Sequence, residues 1–180
     1  MNKKQIALIV AGTLVAGTLI WMNSRTYAPQ GAVPISPFNP DKYLGKWYEI
    51  ARTDVRFEKD MIKTSAEYSM NADGSIKVIN RGYHSIKKQW SRAEGKAKFR
   101  KSPDVAALKV SFFGPFYGGY NVVALDENYQ YALIIGRSPE YLWILSRQTV
   151  IPEDIKETYL QKAASLGVDI DKLVWPQHSR

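Results

Sequence analysis

Cysteine is absent from this 180-residue chain. That excludes a disulfide scaffold, Cys-ligated zinc, a cysteine nucleophile and lipid attachment through an N-terminal cysteine. Histidine is nearly absent: His84 and His178 are the only two, too few for a multi-His metal site. Acidic residues are missing from the first 40 positions, where Lys3, Lys4 and Arg25 are the only charges. Dense Lys/Arg clusters are missing too, so a net charge of +8 gives no case for nucleic acid. What remains is ordinary for a folded domain. Apolar residues make up 45% and charged ones 23%, which excludes disorder throughout. The length suits one domain with a sizeable core plus a short extra segment.

That extra segment is N-terminal. Residues 5–24 carry no charge and centre on IALIVAGTLVAGTLIWM. Twenty helical residues cover about 30 Å, roughly the hydrocarbon thickness of a bilayer. Lys3-Lys4 before the run favour a cytoplasmic N-terminus and an exported remainder. Residues 1–24 are therefore expected to be a membrane anchor, with a cleaved signal as the rival. Thr26-Tyr27-Ala28 has the small-x-small form of a cleavage site, but Pro29 follows it and the run is longer than a usual signal core. Residues 25–40, RTYAPQGAVPISPFNP, hold four prolines and no helical period, the pattern of a linker. The domain proper is expected over 41–180.

From Lys46 onward the hydrophobic period is two rather than 3.6. Strands are expected at Lys46–Val55, Thr64–Asn71, Ile76–His84, Trp90–Phe99, Ala106–Phe112, Tyr120–Asp126, Tyr131–Gly136 and Tyr141–Arg147. Short connections make successive strands antiparallel neighbours. Eight of them predict an all-β, eight-stranded antiparallel up-and-down barrel, which leaves no sheet edge; a sandwich is the rival. The last three strands are apolar on both faces, as Val122/Val123 and Leu142/Trp143/Ile144/Leu145 show. A C-terminal α-helix over Pro152–Leu166 is expected to cover them from outside, with Ile155, Tyr159, Ala163 and Leu166 as its stripe and Gly167 as its stop.

Three short motifs are more specific. Gly45-Lys46-Trp47 opens the first strand. Asp126 begins the turn that ends at Tyr131, and Arg147 ends the eighth strand. In order and spacing they resemble the three motifs of the lipocalin family, although Leu125 stands where that family carries Thr. The stretches KVSFFGPFYGGYNVVALD and YLWILSR are most similar to the bacterial lipocalins related to apolipoprotein D. Those are typically outer-membrane lipoproteins held by a lipidated cysteine, a residue this chain lacks. Counting strands independently puts the start of the first, the sixth-to-seventh turn and the end of the eighth at one end. Trp47, Asp126 and Arg147 should converge there, the guanidinium over the indole closing the barrel.

The opposite end should be the open mouth. It carries Arg56, Lys59, Lys63, His84, Lys87, Lys88 and Arg137, with aromatics in Phe113-Gly114-Pro115-Phe116-Tyr117. Such a rim suits anionic headgroups of a membrane surface, or a homodimer through the same end. Alternation turns Tyr68, Asn80, Phe112, Tyr120 and Trp143 inward, beside small residues (Ala66, Gly82, Ala93, Gly95, Ala97) that leave space. The resemblance implies a ligand pocket at positions like Tyr68, Asn80, Phe112 and Trp143. The expected function is binding, storage or transport of a fatty acid or lysophospholipid in the bacterial cell envelope. A ligand-free envelope interaction module is the alternative. A lipocalin-fold enzyme is third, since no Ser/His/Asp set, Cys nucleophile or metal cluster supports catalysis, and no cofactor is called for. Glu49 falls on the Trp47 face without an assigned partner, placed near the other end of the barrel from His84.

Overall fold

A computed structural model describes residues 27–178. The expected anchor, residues 1–24, lies outside them. Eight antiparallel strands close in sequence order: β1 Gly45–Arg52, β2 Met61–Met70, β3 Ile76–His84, β4 Gln89–Phe99, β5 Ala107–Phe113, β6 Phe116–Leu125, β7 Tyr131–Ile135 and β8 Leu142–Ser146. β1 pairs with both β2 and β8, so the sheet has no free first or last strand. The expected boundaries hold to within a few residues. The main difference is β6, which begins at Phe116 because the glycine-rich stretch continues the ladder as far as Phe113↔Phe116.

The eight strands separate two cores. Inside the barrel lie Trp47, Tyr68, Val78, Leu108, Val122, Ile134 and Leu145. Outside, Leu133, Ile135, Leu142 and Ile144 pack with Tyr159, Ala163 and Leu166. The last three belong to the α-helical region around Glu153–Ser165. Strands apolar on both faces need this second layer, and the helix provides it. Tyr159 also donates its hydroxyl to the Tyr131 carbonyl at 2.9 Å. Gly167, at φ +85°, turns the chain away after the helix, as an αL cap does.

The proline-rich segment is more than a tether. From Tyr27 onward it lies along the barrel. The Ile35 amide donates to Val122 and its carbonyl accepts from Ala106, while Phe38 is buried in the inner core. Asn121 Nδ2 reaches the Tyr27 carbonyl at 2.7 Å. That crossing needs Gly119, where a Cβ would stand 2.0 Å from the Tyr27 oxygen. Low-complexity composition signalled a linker. The Ala106 amide and the Val122 carbonyl needed partners, and this segment supplies them.

Candidate functional site

The closed end is built from the motif residues. A short helix, α1 (Pro40–Tyr43), crosses it, with Asn39 Oδ1 accepting from the Asp41 and Lys42 amides. Trp47 is fully buried and its Nε1 donates to the Tyr43 carbonyl at 2.8 Å. The Arg147 guanidinium carbon stands 3.9 Å from the indole centroid. It donates to four main-chain carbonyls, those of Lys42, Leu44, Lys46 and Tyr129. One planar cation thus ties α1, the start of β1 and the β6–β7 turn together. Asp126 is close but works differently from the expected three-way convergence. Its carboxylate accepts from the Asn128, Gln130 and Tyr131 amides. It shapes the turn that presents the Tyr129 carbonyl to Arg147.

Above this plug three phenols form a floor. Tyr120 OH lies 2.7 Å from Tyr43 OH and 2.8 Å from Tyr68 OH. Burial pushes all three hydroxyls above the usual phenol range, so the floor is neutral. Over it opens a cavity of about 670 Å³, within the range of about 300–1,000 Å³ typical of small-molecule sites. Tyr68, Asn80, Phe112, Tyr120 and Trp143 all line it, together with Val78, Leu108 and Val110. The small residues Ala66, Gly82, Ala93 and Ala97 line it as well. Gly95 sits under Phe112, whose ring would lie 2.8 Å from a Cβ there. Asn80 Oδ1 is buried with no hydrogen-bond partner among the described residues.

The mouth is rimmed by apolar rings in the open. Phe57 is 65% exposed, Phe113 82% and Phe116 76%, and all three also line the cavity. Arg56, Lys59, Lys87, Lys88 and Arg137 are exposed on the connections at this end, against Asp54, Asp60 and Glu140.

A polar cluster in the cavity wall escaped the sequence reading. Glu49 accepts from Arg52 Nη1 at 2.5 Å and from Thr64 Oγ1 at 3.1 Å. Arg52, 1% exposed, also donates Nη2 to the Glu58 and Met61 carbonyls. The Glu58 carboxylate faces the cavity, accepting from Trp143 Nε1 at 3.1 Å. Burial raises the Glu49 carboxyl above the usual range, opposed by the Arg52 charge. Burial and the neighbouring Glu49 charge push Glu58 up to about 8. Strict alternation hid this cluster. If Glu49 faces inward, Arg52 should face outward. A register shift between Glu49 and Ala51 instead puts Ile50 and Ala51 under the helix and returns Arg52 to the inside. Such a β-bulge re-aims a side chain. The C-terminal tail braces it: Val174 exchanges two main-chain hydrogen bonds with Arg52, and His178 Nε2 lies 2.7 Å from the Glu49 carbonyl. Glu49 and His84 are also not at opposite ends of the barrel as expected: Glu49's partner Thr64 lies near Met61 along β2, and Met61 pairs with His84. The usable signal was Glu49, Arg52 and Glu58 in sequence around an otherwise apolar strand.

A barrel plugged at one end by a cation-capped Trp, with a covering helix and a cavity open at the other end, defines a small-molecule-binding lipocalin architecture. Sequence comparison agrees. Residues 38–178 match the Lipocalin-like domain, and the chain belongs to the lipocalin family. It is 46% identical to the outer membrane lipoprotein Blc of Escherichia coli K12, over 96% of each chain. Identity to the protein of the same name in Citrobacter freundii is 47%, over 93% of this chain and 95% of that one. Among solved structures, insecticyanin from the tobacco hornworm Manduca sexta shares the fold at TM-score 0.67 with 20% identity, covering 86% of this chain and 87% of that one.

Proposed function

We propose that this protein binds and carries a single-chain lipid, a fatty acid or lysophospholipid, in the bacterial cell envelope, and does not turn it over. The observation that carries this reading is the largely apolar cavity of about 670 Å³ above a neutral tyrosine floor, with exposed aromatics and bases ringing its mouth. Tyr68, Asn80, Phe112, Tyr120 and Trp143 are the proposed ligand contacts. Each buried methylene contributes about 0.8 kcal/mol. Affinity should therefore rise severalfold with each added carbon until the acyl chain reaches the floor, then level off. Titration with a chain-length series tests this; affinity independent of length would overturn it. Trp143→Ala should weaken binding about tenfold or more while leaving the barrel folded by circular dichroism.

The envelope location rests on relatives named as outer membrane lipoproteins. Without a cysteine to acylate, the proposed tether is the uncharged run of residues 5–24. Among the described residues no helix is long and apolar enough to cross a membrane. Phe57, Phe113 and Phe116 would then meet the lipid surface, with the rim bases near anionic headgroups. Intact protein should stay in the membrane pellet through a high-salt wash and retain Met1–Ser24 by mass spectrometry. A soluble form beginning near Pro29 would show a cleaved signal instead.

A further inference from the structure

The wall cluster has an unequal charge balance. Glu49 and Glu58 share one guanidinium, and that guanidinium is committed to Glu49. Arg52 Nη1 is 2.5 Å from Glu49 Oε1, whereas Arg52 Nε stays 3.8 Å from Glu58 Oε2 and makes no hydrogen bond. Nη2 is spent on two carbonyls. Glu58 is held in place by a neutral donor, the Trp143 indole. Among the described residues its other oxygen, Oε1, accepts no hydrogen bond, and the side chain lines the cavity. The remaining bases along the cavity are elsewhere engaged or outside: Arg81 is paired with Glu67 at 2.6 Å, and Arg137 stands exposed.

With both carboxyls ionised the cluster carries one surplus negative charge in an apolar wall. Such a charge is costly unless paired. In the empty barrel a proton can settle it, consistent with the raised carboxyls described above. A cation arriving through the mouth settles it equally well. An anionic ligand head does the reverse, since no unengaged base faces it at that depth.

We propose that Glu58, presented into the cavity by Trp143 and backed by the Glu49–Arg52 pair, receives the ammonium of a zwitterionic single-chain lipid headgroup. This rests on the acyl-cavity reading and names its headgroup class. The tail fills the barrel above Tyr68 and Tyr120, the phosphate stays near the rim bases, and the ammonium folds back to the wall. Binding replaces one proton on the Glu49–Glu58 pair by the ligand cation. That proton leaves to solvent and the ammonium keeps its own. The groups that tune the exchange are Arg52, Thr64 and the Trp143 indole, His178 behind the Glu49 main chain, and Arg56 and Lys59 flanking Glu58.

The test compares lauroyl lysophosphatidylethanolamine, lauroyl lysophosphatidylglycerol and laurate by calorimetry on the full chain, in two buffers of different ionisation heat. At pH 7 the ethanolamine lipid should bind about tenfold more tightly than the glycerol lipid, the scale of one charge-assisted contact. Its binding should release protons and the other two should release none. Glu58→Gln, a neutral isostere, should bring the two lysophospholipids to equal affinity and abolish the release. Equal affinities in the wild type, or a preference and proton release that persist in Glu58→Gln, would overturn the headgroup assignment while leaving the acyl cavity standing. If none of the three lipids binds, the acyl-cavity reading falls and this assignment falls with it.

Discussion

Replacing Trp47 by alanine is expected to cost on the order of 3–5 kcal/mol of stability, the range for truncating a fully buried large aromatic. Three losses combine. The indole leaves a cavity beneath the Tyr43 ring, 4.9 Å away between centroids. Its hydrogen bond to the Tyr43 carbonyl goes. The Arg147 guanidinium loses the face it covers at 3.9 Å, worth about 0.5–2 kcal/mol. In a domain of this size the melting temperature should fall by roughly 10 °C. Lipid affinity should change far less, because Trp47 lies below the tyrosine floor and outside the cavity lining. Arg147→Ala should lower stability in the same sense by leaving its carbonyl acceptors without a donor. Thermal unfolding measured beside a lipid titration separates the two roles. Equal melting temperatures for mutant and wild type would show that the plug is not structural.

Arg52→Met should be as damaging, and its effect should depend on pH. Methionine matches the stem of the arginine but leaves Glu49 and Glu58 buried without their cation. Breaking a buried pair from one side costs about 3–5 kcal/mol. The sign follows from proton linkage. A carboxyl whose folded value is raised adds stability that is complete below its unfolded value and is lost as pH rises through the folded value. Glu58 already spans that window in the wild type, from 4.5 to about 8. Removing Arg52 takes away a lowering influence on both carboxyls and moves the window higher. At pH 5 Glu58 is protonated with or without Arg52, so mutant and wild type should melt closer together. The gap should open as pH approaches the wild-type Glu58 value of about 8, where only the wild type begins to ionise, and widen toward pH 9. Glu58→Gln, neutral throughout, should flatten this part of the wild-type profile and be more stable than wild type above pH 8. A mutant gap constant from pH 5 to pH 9 would show that the cluster carries no excess charge.

Much of this molecule was determined by sequence alone, because its information is periodic. Alternation turned Tyr68, Asn80, Phe112, Tyr120 and Trp143 to one face of their strands. Once eight short-looped strands close, that face has one interior to line. The double-faced apolar strands around Val122/Val123 and Leu142–Leu145 required a covering layer, and the helix stripe at Tyr159 and Ala163 was there to supply it. The Trp47–Arg147 contact followed from counting strands, since up-and-down order puts their ends together.

Tertiary structure decided what breaks the period. The bulge between Glu49 and Ala51 arises where β1 must meet β8, the helix and the C-terminal tail together. It reverses the side on which the last residue of β1 falls, so Arg52 enters the barrel against the local pattern. Glu58 sits on a connection, where no period exists, and the Trp143 indole and Arg52 hold it at the cavity wall. The stretch from Tyr27 to Asn39 has the composition of a tether, yet it is pinned along the barrel because main-chain groups at Ala106 and Val122 need partners. In each case the deciding interaction joins residues far apart in sequence, through hydrogen bonds and buried charges that leave no repeat to read.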